Sequence, residues 1–373
     1  MENKNTNLEE AEALAEMPEV EAVMGDGAAV APAKKRKKPI NQQKLQDNLW
    51  GWLFCTPLIV GTTLFVYIAF VIAILLSFSN YQEATPLWNF LGNIEWGSAA
   101  IVRVESGEFI TDTSLIWYRY IFESTTQSND FWYTLFNTVF YLIGIPIGMI
   151  LSVFFAVCMS RDIKGANIFR VIYYIPCVAS TVAITYTFQR LFATGGSGVI
   201  NRLLFGDDST RYINWLNGAQ NTRPWSSGAI IYKWVIIIMS VWKGLGGTII
   251  LYVAGLSGVN ASHKEAASID GANAWITFWK IEIPQLWPTI FYNMVTAVIG
   301  GMQIYTEPDL LFSTNGGVNF EVTPYVGKIF YLGPMGNNPS PNCAYACALG
   351  IILALIIFVL TLFQFLIDSK MDK

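Results

Sequence analysis

The sequence predicts an all-α integral membrane protein with six transmembrane helices. Hydrophobic residues make up 53% of the 373 residues and charged residues only 13%, about half of the roughly 25% that is usual in soluble domains. The charged residues are unevenly spread, which leaves uncharged runs at 48–82, 131–160, 171–189, 283–306 and 329–367. A helix that crosses the hydrocarbon core needs roughly 20 mostly apolar residues, and these runs supply that length.

Residues 1–48 are predicted to form a disordered cytoplasmic tail, first acidic and then basic, because they include few large apolar residues to bury. Many of the acidic residues lie in this tail, so the formal net charge of −4 does not describe the rest of the sequence. The basic cluster Lys34–Lys38 is predicted to set the topology and attract anionic lipid, not nucleic acid. Residues 49–79 are predicted to be a membrane anchor, because their apolar run is too long for a signal peptide.

The remainder divides into an extracytoplasmic insertion at 80–130, a core transmembrane domain at 131–367 and a cytoplasmic C-terminal tail at 368–373. The insertion is polar, with scattered tryptophans. The six predicted spans are Leu49–Phe78, Phe131–Met159, Val171–Phe192, Ile230–Gly255, Trp287–Thr306 and Ala344–Ile367.

The distribution of basic residues predicts the orientation. Six crossings place both termini on one side of the membrane, and short loops rich in lysine and arginine lie on the cytoplasmic side. The terminal side carries the Lys34–Lys38 cluster and also Lys44, Arg161, Lys164, Arg170, Lys264, Lys280, Lys370 and Lys373. The opposite side has longer loops with fewer basic residues, so we expect a multi-pass protein of a bacterial or archaeal cell membrane with both termini in the cytoplasm.

The residue types that usually carry out catalysis or bind metals do not form a recognisable pattern in this sequence. Cys343 and Cys347 have helical spacing and are too few to hold a metal, so the cysteines are predicted to be packing residues. His263 is the single histidine. Without paired carboxylates, a histidine cluster or a nucleophile with its base, an enzyme is excluded, and no metal or catalytic residue is predicted.

The most informative segment is the loop at 258–284, which precedes the fifth span. Ser262 and Glu265 have the spacing of a capping box, so a helix is expected to begin at Ser262. Asp270 and Gly271 form a strong helix stop.

A second helix is expected from Ala272, with an aromatic face formed by Trp275, Phe278 and Trp279. Two prolines, Pro284 and Pro288, mark the return to the membrane. Local physics alone leaves two interpretations open, a surface link between spans four and five or a docking element.

This loop resembles the EAA loop of permeases from binding-protein-dependent importers. The family pattern is E-A-A, three residues, G, nine residues and I-x-L-P. The sequence has Glu265-Ala266-Ala267, then Gly271, then Ile281–Pro284, with Ile283 in place of the leucine. The exchange is nearly isosteric, and the spacing holds over twenty residues.

Further segments are similar to the same family, from about residue 49 to the C-terminus. They are Phe136–Thr138, Phe169-Arg170, Tyr174–Pro176, Gly198–Leu204, Trp215-Leu216 and Leu251–Leu256. The subfamily with the strongest resemblance includes the maltose and multiple-sugar permeases. The insertion at 80–130 is longer than in the shorter members, so its role is left open.

The resemblance implies the permease subunit of an ATP-driven ABC importer, with carbohydrate delivered by an extracytoplasmic solute-binding protein. It implies a second permease subunit and two ABC ATPase subunits, and a cytoplasmic coupling helix within the EAA loop. The residues that it assigns to ATPase coupling are Glu265, Ala266, Ala267, Asp270, Gly271, Ile281 and Pro284.

The chain itself is not expected to bind a cofactor. Its Gly327-Lys328 pair is followed by isoleucine, and no glycine lies five residues before Gly327, so the pattern of a phosphate-binding loop is absent. ATP and Mg²⁺ are therefore expected to be used by the partner ATPase.

Polar residues in spans four and five are the predicted substrate contacts. Lys243 is the strongest candidate among them, because a charge inside the membrane is costly and usually functional. The full set is Ser240, Trp242, Lys243, Asn293, Gln303 and Tyr305. The alternatives for Lys243 are an internal partner or a side chain that snorkels to the membrane interface. For the others they are hydrogen bonding between helices or a place in an interfacial aromatic belt.

Two other functions stay open at this point. One is an importer permease for another solute, such as glycerol phosphate, a polyamine or phosphate. The second is a secondary transporter, which would need acidic residues deep in the spans, and the predicted spans contain none.

Overall fold

The structure is a computed structural model, and it describes residues 42–79, 100–103, 109–112, 115–160, 166–216, 227–259, 261–312, 321–334, 336, 338 and 342–371. The chain divides into two compact units, Met1–Gly61 and Thr62–Lys373. The described part of the first unit is helical. Residues 1–41 of the predicted disordered tail at 1–48 lie outside the described residues, whereas residues 42–48 belong to helix Gln42–Thr62, so disorder was the wrong expectation for them. All packing described below is within the second unit.

Helices dominate the described residues. In chain order they are α1 Gln42–Thr62, α2 Ala69–Ser77, α3 Ile116–Glu123, α4 Thr125–Tyr141, α5 Gly144–Ser160, α6 Ala166–Val178, α7 Thr181–Leu191, α8 Val199–Phe205, α9 Ser227–Ser257, α10 Ala261–Ile269, α11 Ala274–Thr277, α12 Ile283–Met302, α13 Thr306–Phe312, α14 Tyr325–Leu332 and α15 Cys343–Met371. Wider, π-type turns at Thr63–Ile68 and Phe278–Glu282 precede α2 and α12.

Four stretches of the described chain are long and apolar enough to cross a membrane. They are Trp50–Ser77, Thr125–Ser160, Gly228–Ser257 and Cys343–Lys370. The pair α6 and α7 makes a fifth if it counts as one broken span. The predominantly helical, membrane-spanning class predicted from the sequence is therefore confirmed, and four or five of the six predicted spans are recognised by length and composition among the described residues.

The predicted fifth span is helical but less apolar than the others. Helix α12 has 20 residues, and at about 1.5 Å per residue it is about 30 Å long. It is less apolar than the four stretches named above, because Gln285, Tyr292 and Asn293 lower its hydropathy. Its predicted end at Thr306 is wrong, since the helix ends at Met302.

The predicted third span is sharply bent. Helices α6 and α7 meet at 98°, and Pro176 lies in the last turn of α6. Proline removes a backbone donor and clashes with the preceding turn, so a helix tends to end there. The predicted span from Val171 to Phe192 is therefore divided between two helices.

The insertion predicted at 80–130 holds an element that the sequence analysis missed. Strands Ala100–Arg103 and Phe109–Asp112 pair antiparallel, with Ala100 opposite Asp112. The insertion also ends earlier than predicted, because α4 begins at Thr125.

Asp130 explains that boundary error. Its charge placed it outside the predicted span, but its carboxylate is paired with the buried Lys328 ammonium. Gln127 accepts a hydrogen bond from Lys328 at 3.1 Å and another from Tyr345 at 2.9 Å. Burial lowers the pKa of Lys328, and the neighbouring carboxylate opposes that shift. An acidic residue such as Asp130 can therefore lie inside an apolar helix when a lysine neutralises its charge.

An aromatic cluster joins α3 to α14 and α15. Trp117 is buried against Tyr345, with ring centroids 6.0 Å apart, and its indole donates to the Ser79 carbonyl at 2.7 Å. Phe131 packs edge-on against Tyr325 at 5.6 Å. These contacts fix the ends of four helices around one core.

Helix α9 is the central element of the second unit and packs against α5, α6 and α12. Gly246 permits the closest of these approaches, because a Cβ there would lie 2.3 Å from the Tyr173 carbonyl oxygen of α6. Gly255 is similarly close to Leu286 of α12, with a virtual Cβ distance of 2.6 Å. These two glycines therefore let neighbouring helices approach α9 closely, as small residues commonly do between membrane helices.

Candidate functional site

Helix α10 ends in a left-handed turn at Gly271, whose φ is 75°. The amide of Ala272 donates to the Ala267 carbonyl at 2.9 Å, and the amide of Gly271 donates to the Ser268 carbonyl at 3.2 Å. These two bonds define a Schellman motif. Nothing lies within 4 Å of a virtual Cβ at Gly271, so the backbone conformation, and not space, requires glycine. The helix stop lies where the sequence predicted it.

The start of α10 differs from the prediction. The helix begins at Ala261, so Ser262 is its second residue and not its N-cap. The second helix also starts later than the predicted Ala272. Asn273 is its N-cap and accepts a hydrogen bond from the Ile276 amide at 2.9 Å. Asparagine is a strong N-cap residue, and this local signal was available in the sequence.

The predicted coupling residues lie on both faces of the loop. Glu265 and Ala266 are exposed, whereas Ala267 is buried. Asp270 is also exposed. Ile269 is 85% exposed and makes the end of α10 apolar.

Ile281 lies in the wide turn that precedes α12, and the exposed Pro284 lies in the first turn of that helix. The aromatic face predicted on the second helix is present. Trp275 and Trp279 have ring centroids 5.7 Å apart. The ring of Phe278 lies 5.1 Å from that of Trp279.

Three polar contacts, which we call the loop ties, connect α10 and α12 to neighbouring helices. Lys264 forms an ion pair with Glu282 at 2.9 Å. The side chains of His263 and Gln285 are hydrogen-bonded at 2.9 Å. Farther along α12, the indole of Trp287 donates to the Asp368 carboxylate of α15 at 2.8 Å. The loop is thereby connected to two predicted spans, which periodicity could not reveal because the partners are distant in sequence.

A cavity of about 190 Å³ lies among α4, α5, α9 and α12. Its lining is mostly glycine and aliphatic side chains, and the polar members are Tyr141, Ser240, Thr248 and Asn293. Ser240 and Asn293 were predicted substrate contacts, so the structure brings two of the six together.

Three of the four polar side chains in the cavity are already hydrogen-bonded. Tyr141 donates to the Val322 carbonyl, and the hydroxyls of Thr248 and Ser152 bond to each other. Asn293 donates to the hydroxyl of Tyr252 at 2.8 Å. In contrast, the buried Ser240 hydroxyl has no hydrogen-bond partner among the described residues.

Lys243 does not line this cavity. Its ammonium forms an ion pair with Glu307 at 2.8 Å and donates to the Thr181 hydroxyl at 2.7 Å. The internal partner that the sequence analysis left open is therefore present. The pair joins α9, α7 and α13, and a carboxylate thus lies beside the fourth predicted span.

The other three predicted contacts lie elsewhere. Trp242 is 42% exposed and packs on Phe188, with ring centroids 5.7 Å apart. Gln303 is exposed at the C-terminal end of α12. Tyr305 packs on Phe330 with centroids 4.7 Å apart. The structure does not bring these side chains to the cavity.

The fold and these two regions define a membrane transport component, with apolar spanning helices, an internal cavity and an exposed helical loop. Residues 144–373 match the model of the binding-protein-dependent transport system inner membrane component. The match covers more than half of the chain, so the chain belongs to that family. It is a permease subunit of an ABC importer and not an enzyme.

Curated relatives match most of the chain. A probable ABC transporter permease protein of Bacillus subtilis, YesP, is 29% identical over 91% of this chain and 95% of its own length. The multiple sugar-binding transport system permease MsmF of Streptococcus mutans is 24% identical over 88% of this chain and 99% of its own length. The lactose permease LacF of Rhizobium radiobacter is 30% identical over 63% of this chain and 75% of its own.

A solved structure shares the fold. It is a chain of a bacterial ABC transporter involved in the import of the acidic polysaccharide alginate, with a TM-score of 0.63 and 17% identity. The alignment covers 89% of this chain and 99% of that chain. These comparisons confirm the family predicted from the EAA loop and exclude the secondary transporter.

Proposed function

We propose that this permease imports a sugar or oligosaccharide and that α10 is its coupling helix. The assignment of α10 as the coupling helix is supported by its exposure and by the Schellman turn at Gly271 that ends it. A surface helix normally buries its large apolar residues, yet Ile269 at the end of α10 is 85% exposed. A partner that covers this end explains the exposure.

The partner that fits is an ABC ATPase subunit. The exposed Glu265 supplies a charge, the exposed Ala266 allows close backbone approach, and Ile269 supplies apolar area. The buried Ala267 is assigned to packing within the chain. Asp270 and Gly271 shape the turn, and Ile281 and Pro284 lead into α12. ATP and Mg²⁺ are used by the ATPase, while this chain binds no cofactor.

The loop ties give the route by which ATPase movements reach the membrane. A conformational change must be driven by different contacts in the two states. Lys264 and Glu282 connect α10 to the start of α12, and Trp287 and Asp368 connect α12 to α15. A displacement of α10 therefore moves the helix that lines the cavity.

A sugar is supported by the relatives. Permeases for multiple sugars, for lactose and for arabinooligosaccharides match this chain. A glycerol-3-phosphate permease also matches, at 27% identity over 67% of the chain. We further propose a second permease, two ATPase subunits and an extracytoplasmic solute-binding protein. One matching structure contains a periplasmic binding protein loaded with an alginate pentasaccharide.

The proposed topology has six crossings, with α6 and α7 as one broken span and α12 as another. Helix α12 is long enough to cross, and its polar residues Gln285 and Asn293 face other side chains of this chain. Both termini are placed in the cytoplasm by the basic residues of the short loops. The core domain then runs from the start of α4 to the end of α15.

Photo-crosslinking tests the docking surface directly. A benzophenone amino acid at position 269 is expected to crosslink the ATPase subunit in the intact transporter. The matched control is position 203, because Leu203 is also an exposed apolar residue, at 78%, but lies on α8, on the proposed external side. Equal crosslinking from both positions, or none from 269 in a complex that retains the ATPase, would overturn the assignment.

A further inference from the structure

An exposed aromatic patch, formed by Trp275, Ile276, Phe278 and Trp279, lies between the proposed coupling helix and α12. Trp275 is 68% exposed, Trp279 is 52% exposed, and Ile276 is exposed as well. The three rings contact one another, with centroid distances of 5.1 to 6.3 Å, so they form one surface. Large apolar side chains that are grouped and exposed indicate an interaction site.

The loop that carries the patch is short at both of its connections to the membrane. The span Gly228–Ser257 ends four residues before Ala261, where α10 begins. On the other side, the wide turn Phe278–Glu282 continues directly into α12. At about 1.5 Å per residue, Trp279 lies about 6 Å before the start of α12, which places the patch close to the end of a proposed crossing.

The exposed surface continues from the patch onto α12. Pro284, Pro288 and Tyr292 are all exposed, and successive members are four positions apart, so each is a surface neighbour of the next. In the proposed topology this part of α12 meets the bilayer. The patch is therefore continuous with a surface that faces lipid.

The chemistry of the patch suits a membrane interface. Indole rings have an apolar body and one polar N–H group, and tryptophan is enriched where hydrocarbon meets the headgroups. Lys280 is exposed directly after Trp279 and supplies a positive charge. The Glu282 carboxylate of the same turn is paired with Lys264 at 2.9 Å, so its negative charge is compensated. The cytoplasmic leaflet is anionic and attracts basic residues close to its surface.

The surface proposed for the ATPase has the opposite charge. Glu265 and Asp270 are exposed on α10, and their carboxylates would be repelled by anionic headgroups. The turn at Gly271 ends α10 and thus separates an acidic surface from an aromatic surface with a lysine. Charge complementarity therefore favours lipid as the occupant of the patch and not the ATPase.

We propose that the aromatic patch and Lys280 bind anionic phospholipid of the cytoplasmic leaflet and hold the coupling loop at a fixed depth in the membrane. The inference rests on the proposed function, because it takes α12 as a crossing and the loop as cytoplasmic. With the patch held by lipid, ATPase movements displace α10 relative to a fixed point next to α12.

Photo-crosslinking in nanodiscs identifies the occupant. A benzophenone amino acid is placed at position 275 of the complete transporter, in nanodiscs with equal amounts of phosphatidylcholine and phosphatidylglycerol, and position 279 is a second site for the same probe. After irradiation, this chain is expected to gain the mass of one phospholipid at either position. A crosslink from both positions to the ATPase, or to no molecule, would overturn the proposal.

Two other positions serve as controls for the same probe. Position 292 should also take up lipid, because Tyr292 is exposed on α12. Position 269 should crosslink the ATPase and not lipid. Absence of a lipid adduct at 275, 279 and 292 together would reject the proposed crossing of α12 along with the lipid site.

The identity of the adduct tests the role of the charge. Phosphatidylglycerol adducts at position 275 should exceed phosphatidylcholine adducts about fivefold, the factor that corresponds to about 1 kcal/mol for one lysine at an anionic surface. Lys280→Gln should abolish this preference. The matched control is Lys370→Gln, which removes another exposed lysine near the end of α15 and should leave the preference unchanged. Equal amounts of both adducts before the substitution, or an unchanged preference in Lys280→Gln, would contradict the proposal.

The lipid site and the coupling helix fail separately. Lipid adducts at 275 without an ATPase crosslink at 269 would reject the coupling helix alone. ATPase crosslinks from 269, 275 and 279, with lipid adducts at 292, would reject the lipid site alone.

Discussion

Replacement of Gly271 by alanine is expected to weaken the turn that ends α10. The φ of 75° is costly for a residue with a Cβ, by about 1–2 kcal/mol. No steric term is added, because nothing lies within 4 Å of the virtual Cβ. The population of open turns should therefore rise by about 5- to 30-fold.

Hydrogen exchange reports this opening. The amide of Ala272 is protected by its bond to the Ala267 carbonyl, so its exchange should accelerate by the same factor. In Gly271→Asn the exchange rate of the Ala272 amide should rise less, because asparagine tolerates the left-handed region better than alanine.

The control is Gly350→Ala in α15, where the glycine is helical and a Cβ would also meet nothing within 4 Å. Alanine is favoured over glycine inside a helix by about 0.5–1 kcal/mol, so this variant should not lose stability. Unchanged exchange at Ala272 in Gly271→Ala would refute the reasoning from backbone conformation.

Three further changes test other parts of the structure. Lys328→Met leaves the partly buried Asp130 without its cation and should destabilise the protein by at most about 3–5 kcal/mol, whereas the double variant Lys328→Met/Asp130→Asn should lose less thermal stability. Lys264→Glu should reduce substrate-stimulated ATP hydrolysis by setting two carboxylates together, and the swap Lys264→Glu/Glu282→Lys should restore it. Gly246→Ala should lower expression and stability, because its Cβ would lie 2.3 Å from a backbone oxygen of α6.

Each of these has an outcome that contradicts it. Equal melting temperatures for the single and double Lys328 variants would mean that the buried pair is not coupled. A swap variant as inactive as Lys264→Glu would show that the contact does not transmit movement. The control for Gly246 is Gly244→Ala on the same helix, where nothing lies within 4 Å of the virtual Cβ, and equal losses for both would argue against a clash.

Local signals in the sequence were enough to predict the long apolar helices approximately and to place the turn at Gly271. Long uncharged runs predicted the spans, since the cost of burying charge in lipid acts on each segment separately. The helix stop followed from two adjacent residues, and the aromatic face followed from helical spacing. The capping box at Ser262 failed because α10 begins at Ala261, and a capping pattern alone does not fix a helix end to the residue.

Pairing between distant residues could not be predicted. Asp130 and Lys328 are 198 positions apart, and Lys243 and Glu307 are 64 apart. Each residue alone indicates a boundary or a functional charge, and only the fold shows that the charges cancel. The bend between α6 and α7 was missed because Pro176 permits either a kinked span or a break.

The candidate solute site was predicted only in part for the same reason. Ser240 and Asn293 share the cavity because α9 and α12 pack side by side. Trp242 is on α9 too but faces Phe188, and Tyr305 follows the end of α12 and packs on Phe330. Residue type identified polar or aromatic candidates, whereas the direction of each side chain depends on helix packing.

Solute uptake with and without the ATPase tests the central claim most directly. The transporter is purified by a tag on this chain after co-expression with its partners, as wild type, Glu265→Ala and Glu123→Ala. Glu123 is an exposed carboxylate of α3, paired with Arg119, and serves as the control. We predict that wild type and Glu123→Ala retain the ATPase and show ATP-dependent uptake in liposomes, and that Glu265→Ala loses the ATPase or its coupling to uptake. Uptake by this chain alone, without any ATPase, would contradict the account.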